Sequence, residues 1–178
     1  MTPKEYDVVR LRRALPEHGV EAGREGTVVI AHGRGLADAT AAFEVEFCDG
    51  LDSVVVTLVA DDVDVVWRQM SGEEMAVVTA VVAALPGFAG LLDGLAGAFV
   101  RRSTDWILDI RSRTDVPEVD VPDGPVPVRA FVPNGAEYRG EILVWVQGGR
   151  LSGLEYAWVT DDVPTRWPRP DEIEVVGP

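Results

Sequence analysis

Residues 140–170 read GEILVWVQGGRLSGLEYAWVTDDVPTRWPRP, and this stretch decides how the second half of the chain is built. Gly148-Gly149 separates two runs rich in Val, Leu, Trp and Tyr, the pattern of two strands joined by a glycine hairpin. A turn closed there sets Val146 opposite Leu151, Trp145 opposite Ser152 and Leu143 opposite Leu154. One face then carries Leu143, Trp145, Leu154, Tyr156 and Trp158. The other carries Ile142, Val144, Val146, Leu151, Ala157 and Val159. Both faces are apolar, so both need cover. Helices of the same chain can take one. What covers the other separates a self-contained domain from a binding surface.

Working outward, the chain has 178 residues, enough for one large domain or two small ones. Hydrophobic residues make up 47%, which suits a buried core and argues against disorder. The net charge is −14, from 16 basic and 30 acidic residues. Acids outnumber bases in both halves, which works against nucleic acid as a partner and favours a basic one through long-range attraction. Cys48 is the lone cysteine, so no intramolecular disulfide forms, and a reducing cytoplasm is expected. MTPKEYDVV lacks a basic stretch followed by an apolar run, so no signal peptide is expected. From Met75 to Val100 the only charged residue is Asp93, yet Pro86-Gly87 cuts the run. Two short buried helices, and no membrane span, are expected there.

The first seventy residues read as five short strands: Asp7–Leu11, Gly26–Ala31, Phe43–Cys48, Val54–Val59 and Val63–Trp67. Such spacing predicts a small barrel. Phe43, Val45 and Phe47 alternate with Glu44 and Glu46, apolar side inward. The period then changes. Ser71 caps a helix with Glu73 and Glu74 in its first turn, running to about Ala84. A shorter helix is expected over Phe88–Leu95. Strands follow at Trp106–Arg111, Pro127–Val132, Glu141–Gln147, Arg150–Thr160 and Glu172–Val176. The order is that of an α+β fold with a boundary near Arg68–Ser71.

Two resemblances rest on particular residues. Asp7-Val-Val-Arg-Leu, Leu15-Pro-Glu-His-Gly19, Gly23-Arg-Glu-Gly-Thr-Val-Val29 and Phe43-Glu-Val-Glu-Phe47 make the N-terminal half resemble a family of uncharacterised bacterial SH3-like barrels. The loop from His32 to Ala42 is longer than that pattern. Gly149-Arg-Leu-Ser-Gly-Leu-Glu-Tyr156, Thr160-Asp161-Asp162, Pro164 and Trp167-Pro168 make the C-terminal half look similar to small bacterial immunity proteins that accompany secreted toxins. The first resemblance implies a fold and no activity. The second implies a protein-binding role. With the order of elements read above, the expected fold is an SH3-like β-barrel at residues 1–70, then a two-helix, antiparallel-sheet α+β domain at 71–178.

Catalytic chemistry finds little support. In Gly149-Arg-Leu-Ser-Gly153 the serine stands one place late for a nucleophile elbow. Cys48 belongs to an alternating strand and reads as a semi-buried thiol. Asp61-Asp62-x-Asp64 lacks the glycine and distal Glu of a calcium loop, and His18, His32 and Cys48 make no zinc set. No metal and no cofactor is expected. Gly33-Arg34-Gly35 is too short to cradle phosphate. Glu155 projects onto the face of Ile142, Val144 and Val146, where desolvation would raise its pKa unless Arg111 or Arg129 pairs with it. The strongest candidate is an interaction surface: Tyr156, Trp158 and Trp167 as aromatic anchors beside Asp161, Asp162, Asp171 and Glu172, on a loop stiffened by Pro164, Pro168 and Pro170. The expected function is non-catalytic, an acidic immunity protein occluding a basic toxin. The alternative is a housekeeping module that binds a small molecule or forms a homodimer.

Overall fold

A computed structural model describes residues 2–32, 41–134 and 137–177, with only the backbone described at Asn134, Glu137 and Tyr138. Most of the loop expected between His32 and Ala42, including Gly33-Arg34-Gly35, lies outside the described residues. The chain divides into two compact units, Met1–Gln69 and Met70–Pro178.

The first unit is an antiparallel sheet of β1 (Val8–Leu11), β2 (Glu25–His32), β3 (Ala42–Asp49), β4 (Asp52–Val59) and β5 (Val63–Gln69). Their order is β5-β1-β2-β3-β4. This corrects the expected barrel. Among the described residues no pairing closes β4 onto β5, so the ladder is an open path. The 3-10 turn Ala60–Asp62 takes the chain off β4, and β5 lies on β1 with Val9 opposite Val65 and Leu11 opposite Val63. Arg12 to Asp64 at 2.6 Å and Arg13 to Asp62 at 3.0 Å fasten that crossing. The acidic triplet is thus engaged by arginines, as a solvated turn would be. Alternation in β3 is as read: Phe43, Val45 and Phe47 are buried with Val9, Leu11, Val28, Val56 and Leu58. Cys48 stands at the end of β3 and is exposed, not semi-buried.

The second unit is also mostly antiparallel sheet. Its strands are β6 (Phe99–Thr104), β7 (Ile107–Arg111), β8 (Gly124–Pro125), β9 (Arg129–Asn134), β10 (Glu137–Gln147), β11 (Arg150–Trp158) and β12 (Glu174–Val176). The order is β12-β9-β10-β11-β7-β6, with β8 on β10. Among the described residues the single α-helix is α1 (Gly72–Val82). Ser71 caps it as read: Glu74 N–H donates to Ser71 Oγ at 3.2 Å, and Ser71 N–H donates to Glu74 Oε2 at 2.8 Å. Val77, Val78, Val81 and Val82 of α1 are buried with Ile142, Val144, Val146, Leu154 and Tyr156.

The second expected helix is absent, which overturns the two-helix α+β reading. Pro86–Gly94 forms a 3-10 segment instead. Glycine is a poor helix former, and here it serves packing. A Cβ on Gly90 would come within 3.1 Å of Val119 Cγ2. The segment therefore lets residues 113–121 approach closely in place of α-helical side chains.

Candidate binding surface

The hairpin of β10 and β11 turns at Gly148-Gly149, with φ of 56° and 68°. A side chain at Gly149 would meet Val119 O at 2.4 Å, so the turn needs glycine for both conformation and space. Val146 does face Leu151. Beyond it a β-bulge intervenes: Trp145 faces Gly153, Val144 faces Leu154 and Leu143 faces Glu155. Ser152 is the extra residue. One inserted residue reverses the facing of everything after it. Leu154 and Tyr156 therefore join Ile142, Val144, Val146 and Leu151 in the core. The opposite face carries Leu143, Trp145, Glu155 and Ala157, half-buried or exposed. Glu155 is corrected with it: its Oε2 accepts the Trp145 indole N–H at 3.2 Å. Arg129 instead pairs with Glu141 at 3.2 Å.

β11 also pairs with β7, Leu154 opposite Leu108 and Glu155 opposite Ile107. This brings Trp106 against the end of β11, where its carbonyl accepts Tyr156 N–H at 2.9 Å. Trp106 becomes the hub of an aromatic cluster. Its ring centroid lies 5.8 Å from Tyr156, 5.9 Å from Trp158 and 6.2 Å from Trp167. Edge-to-face and tilted packings of this kind add to the burial of the rings. Tyr156 is 3% exposed, so it supports the surface and is no anchor on it; burial pushes its phenol pKa up. Trp158 is 36% exposed and is available. Trp167 is half-buried.

The exit from β11 holds its own shape. Arg166 Nη1 and Nη2 each donate to Glu172 at 2.7 Å, and Arg169 N–H adds a bond at 2.9 Å. The bidentate guanidinium holds Glu172 far below the usual carboxylate range. Glu172 is therefore committed to the loop and is not an open contact. Asp161, Asp162 and Asp171 are exposed. Asp171 lies 3.8 Å from Arg169. The carboxylates of Asp161 and Asp162 have no ion pair among the described residues.

Two hollows flank this loop. The first turns of α1, Trp106, Trp167 and residues 163–171 enclose a cleft of about 970 Å³ of mixed charge, with Glu73, Glu74, Asp105 and Asp171 on its walls beside Arg102, Arg166 and Arg169. Arg139 and residues 159–165 line another of about 560 Å³, which includes Asp161 and Asp162. The structure thus brings Trp158, Trp167 and Asp171 to one region and adds Trp106, which the sequence reading placed on a strand without a role. Trp106 and Tyr156 are fifty residues apart, and the β7–β11 pairing brings them together. Among the described residues no cluster of His, Cys, Asp and Glu could hold a metal ion, and no helix is long and apolar enough to cross a membrane.

Comparison with known proteins adds one finding. Residues 5–64 match the family described as a domain of unknown function, DUF4926. No curated protein and no solved structure matches the chain.

Proposed function

We propose that this is a non-catalytic acidic protein that binds and covers a basic protein partner, as an immunity protein covers its toxin. The observation that supports the reading is the exit of β11: Trp158 ends the strand partly exposed, three residues before Asp161 and Asp162, whose carboxylates have no ion pair among the described residues, and the loop that follows is ordered by Glu172 and three prolines. Aromatic anchors with stiff acidic neighbours give contact area at low ordering cost. The −14 charge draws a basic partner from a distance. Capture of basic proteins from the host lysate at low salt tests it. A variant with Asp161→Lys and Asp162→Lys should lose capture while folding normally. Equal capture by both proteins would refute the assignment of this loop.

A second reading has its own support. The cleft beside Trp106 and Trp167 is large enough for a small molecule, which would make the chain a housekeeping binding module. A small-molecule ligand would raise the melting temperature at any salt concentration, whereas a basic protein would bind less well as salt rises.

A further inference from the structure

β4 ends the ladder of the first unit, and its eight residues Asp52–Val59 pair with β3 in unbroken register, from Ala42 opposite Val59 to Asp49 opposite Asp52. No bulge bends it. From Ser53 to Val59 it holds no charge and no proline. Val55 is 49% exposed and Val59 37%. Ser53 and Thr57 share that exposed side. Among the described residues, the backbone groups on its outer edge meet no other strand. Natural sheets protect such an edge with lysine, proline, brevity, a bulge or a covering loop. β4 has none of the first four, and the turn that follows it satisfies only its end, where Asp62 Oδ2 accepts Val59 N–H.

We propose that β4 is the seam of a homodimer, two copies pairing antiparallel about a two-fold axis through Val55. Antiparallel neighbours place opposed residues on one side of the sheet. Centring on Val55 meets this condition: Val55 faces its copy, Ser53 faces Thr57 and Val54 faces Val56. Asp52 then faces Leu58, so no carboxylate opposes another along the pairing. The uncharged seam suits a second copy of this acidic chain better than a basic partner, which would find no counter-charge on it. The exposed Val55 is covered, and edge groups of the strand gain partners; Val59 N–H, at the end of β4, already donates to Asp62 Oδ2 at 3.1 Å.

The two proposals respond to salt with opposite sign. Two chains of charge −14 repel, so this dimer tightens as salt rises, whereas capture of a basic partner weakens. The test is sedimentation of the purified full chain at low and high salt. Wild type should double in mass with rising concentration, more readily at high salt. Val55→Lys and Thr57→Lys should each weaken the dimer at least about tenfold by placing lysines in the seam. Val176→Lys, the same charge outside this unit, should leave it unchanged, and circular dichroism should show all three folded. A wild type that stays monomeric at high salt up to ~0.5 mM would overturn the proposal. So would a dimer that survives both lysines in β4.

Discussion

Trp145 Nε1 donates to Glu155 Oε2 at 3.2 Å across the strands of the β10–β11 hairpin. That bond exists because Ser152 is an extra residue in β11, which turns Glu155 away from Ile142 and toward Trp145. Glu155 is thereby a structural acceptor on the half-exposed face. Glu155→Gln should keep the fold and most of the stability, with a loss of about 0.5–1.5 kcal/mol in urea unfolding. A loss of several kcal/mol would mean that Glu155 carries more than this bond.

Deleting Ser152 should be far more damaging. Without the bulge, Leu154 and Tyr156 would turn out of the core and Glu155 would turn in. The expected result is a chain lacking cooperative thermal unfolding. Ser152→Ala, which keeps the residue count, should unfold within a few degrees of wild type.

Trp106 supports three other rings, so truncating it should be costly although it touches solvent. Trp106→Ala should destabilise the chain by about 3 kcal/mol, near the lower end for a large ring lost from a core. The loss should be accompanied by a change in the near-ultraviolet dichroism of Trp158 and Trp167, its neighbours.

Glu172 gives a pH signature. Its folded pKa is lowered, first by the bidentate bond from Arg166 and then by Arg169 N–H. A lowered carboxylate pKa contributes stability that is present above the unfolded value and lost as pH falls toward the folded one. Glu172→Gln should therefore lower the melting temperature at neutral pH, and the gap to wild type should close progressively below the ordinary value of 4.5. A gap that does not change with pH would show that the loop does not depend on the charge.

Asp7 carries the opposite sign. Among the described residues it is the buried charged residue of the first unit, 4% exposed, and desolvation raises its pKa although Lys4 N–H donates to it at 2.9 Å. A raised carboxylate pKa gives stability that is complete below the unfolded value and is lost as pH rises through the folded one. Wild type should lose stability over that rise, and Asp7→Asn should not. Melting curves from acid to neutral pH compare the two directly.

What could be read from the sequence follows the range of the interactions. Strict alternation in Phe43–Phe47 marks a strand because burial on one face is a local pattern, and Ser71 with Glu74 marks a helix start because a capping box closes within four residues. The bulge at Ser152 was not legible, since nothing in Arg150-Leu-Ser-Gly153 marks one residue as extra. The helix expected over Phe88–Leu95 fails because Gly90 is needed for contact with Val119, a partner distant in sequence. The closed barrel fails for a similar reason: composition gives strands, while their order depends on pairing between distant segments, here β5 on β1 with Val9 opposite Val65. At the candidate surface the local acids and prolines were legible. The burial of Tyr156 and the role of Trp106 were not, because both depend on the β7–β11 pairing.

The most direct test of the central claim is to isolate the protein at low salt from the organism that encodes it and weigh the intact complex by native mass spectrometry. A stoichiometric complex with a basic protein, dissociating at high salt, is the expected result. Recovery of the chain at low salt alone, or only with copies of itself, would contradict it.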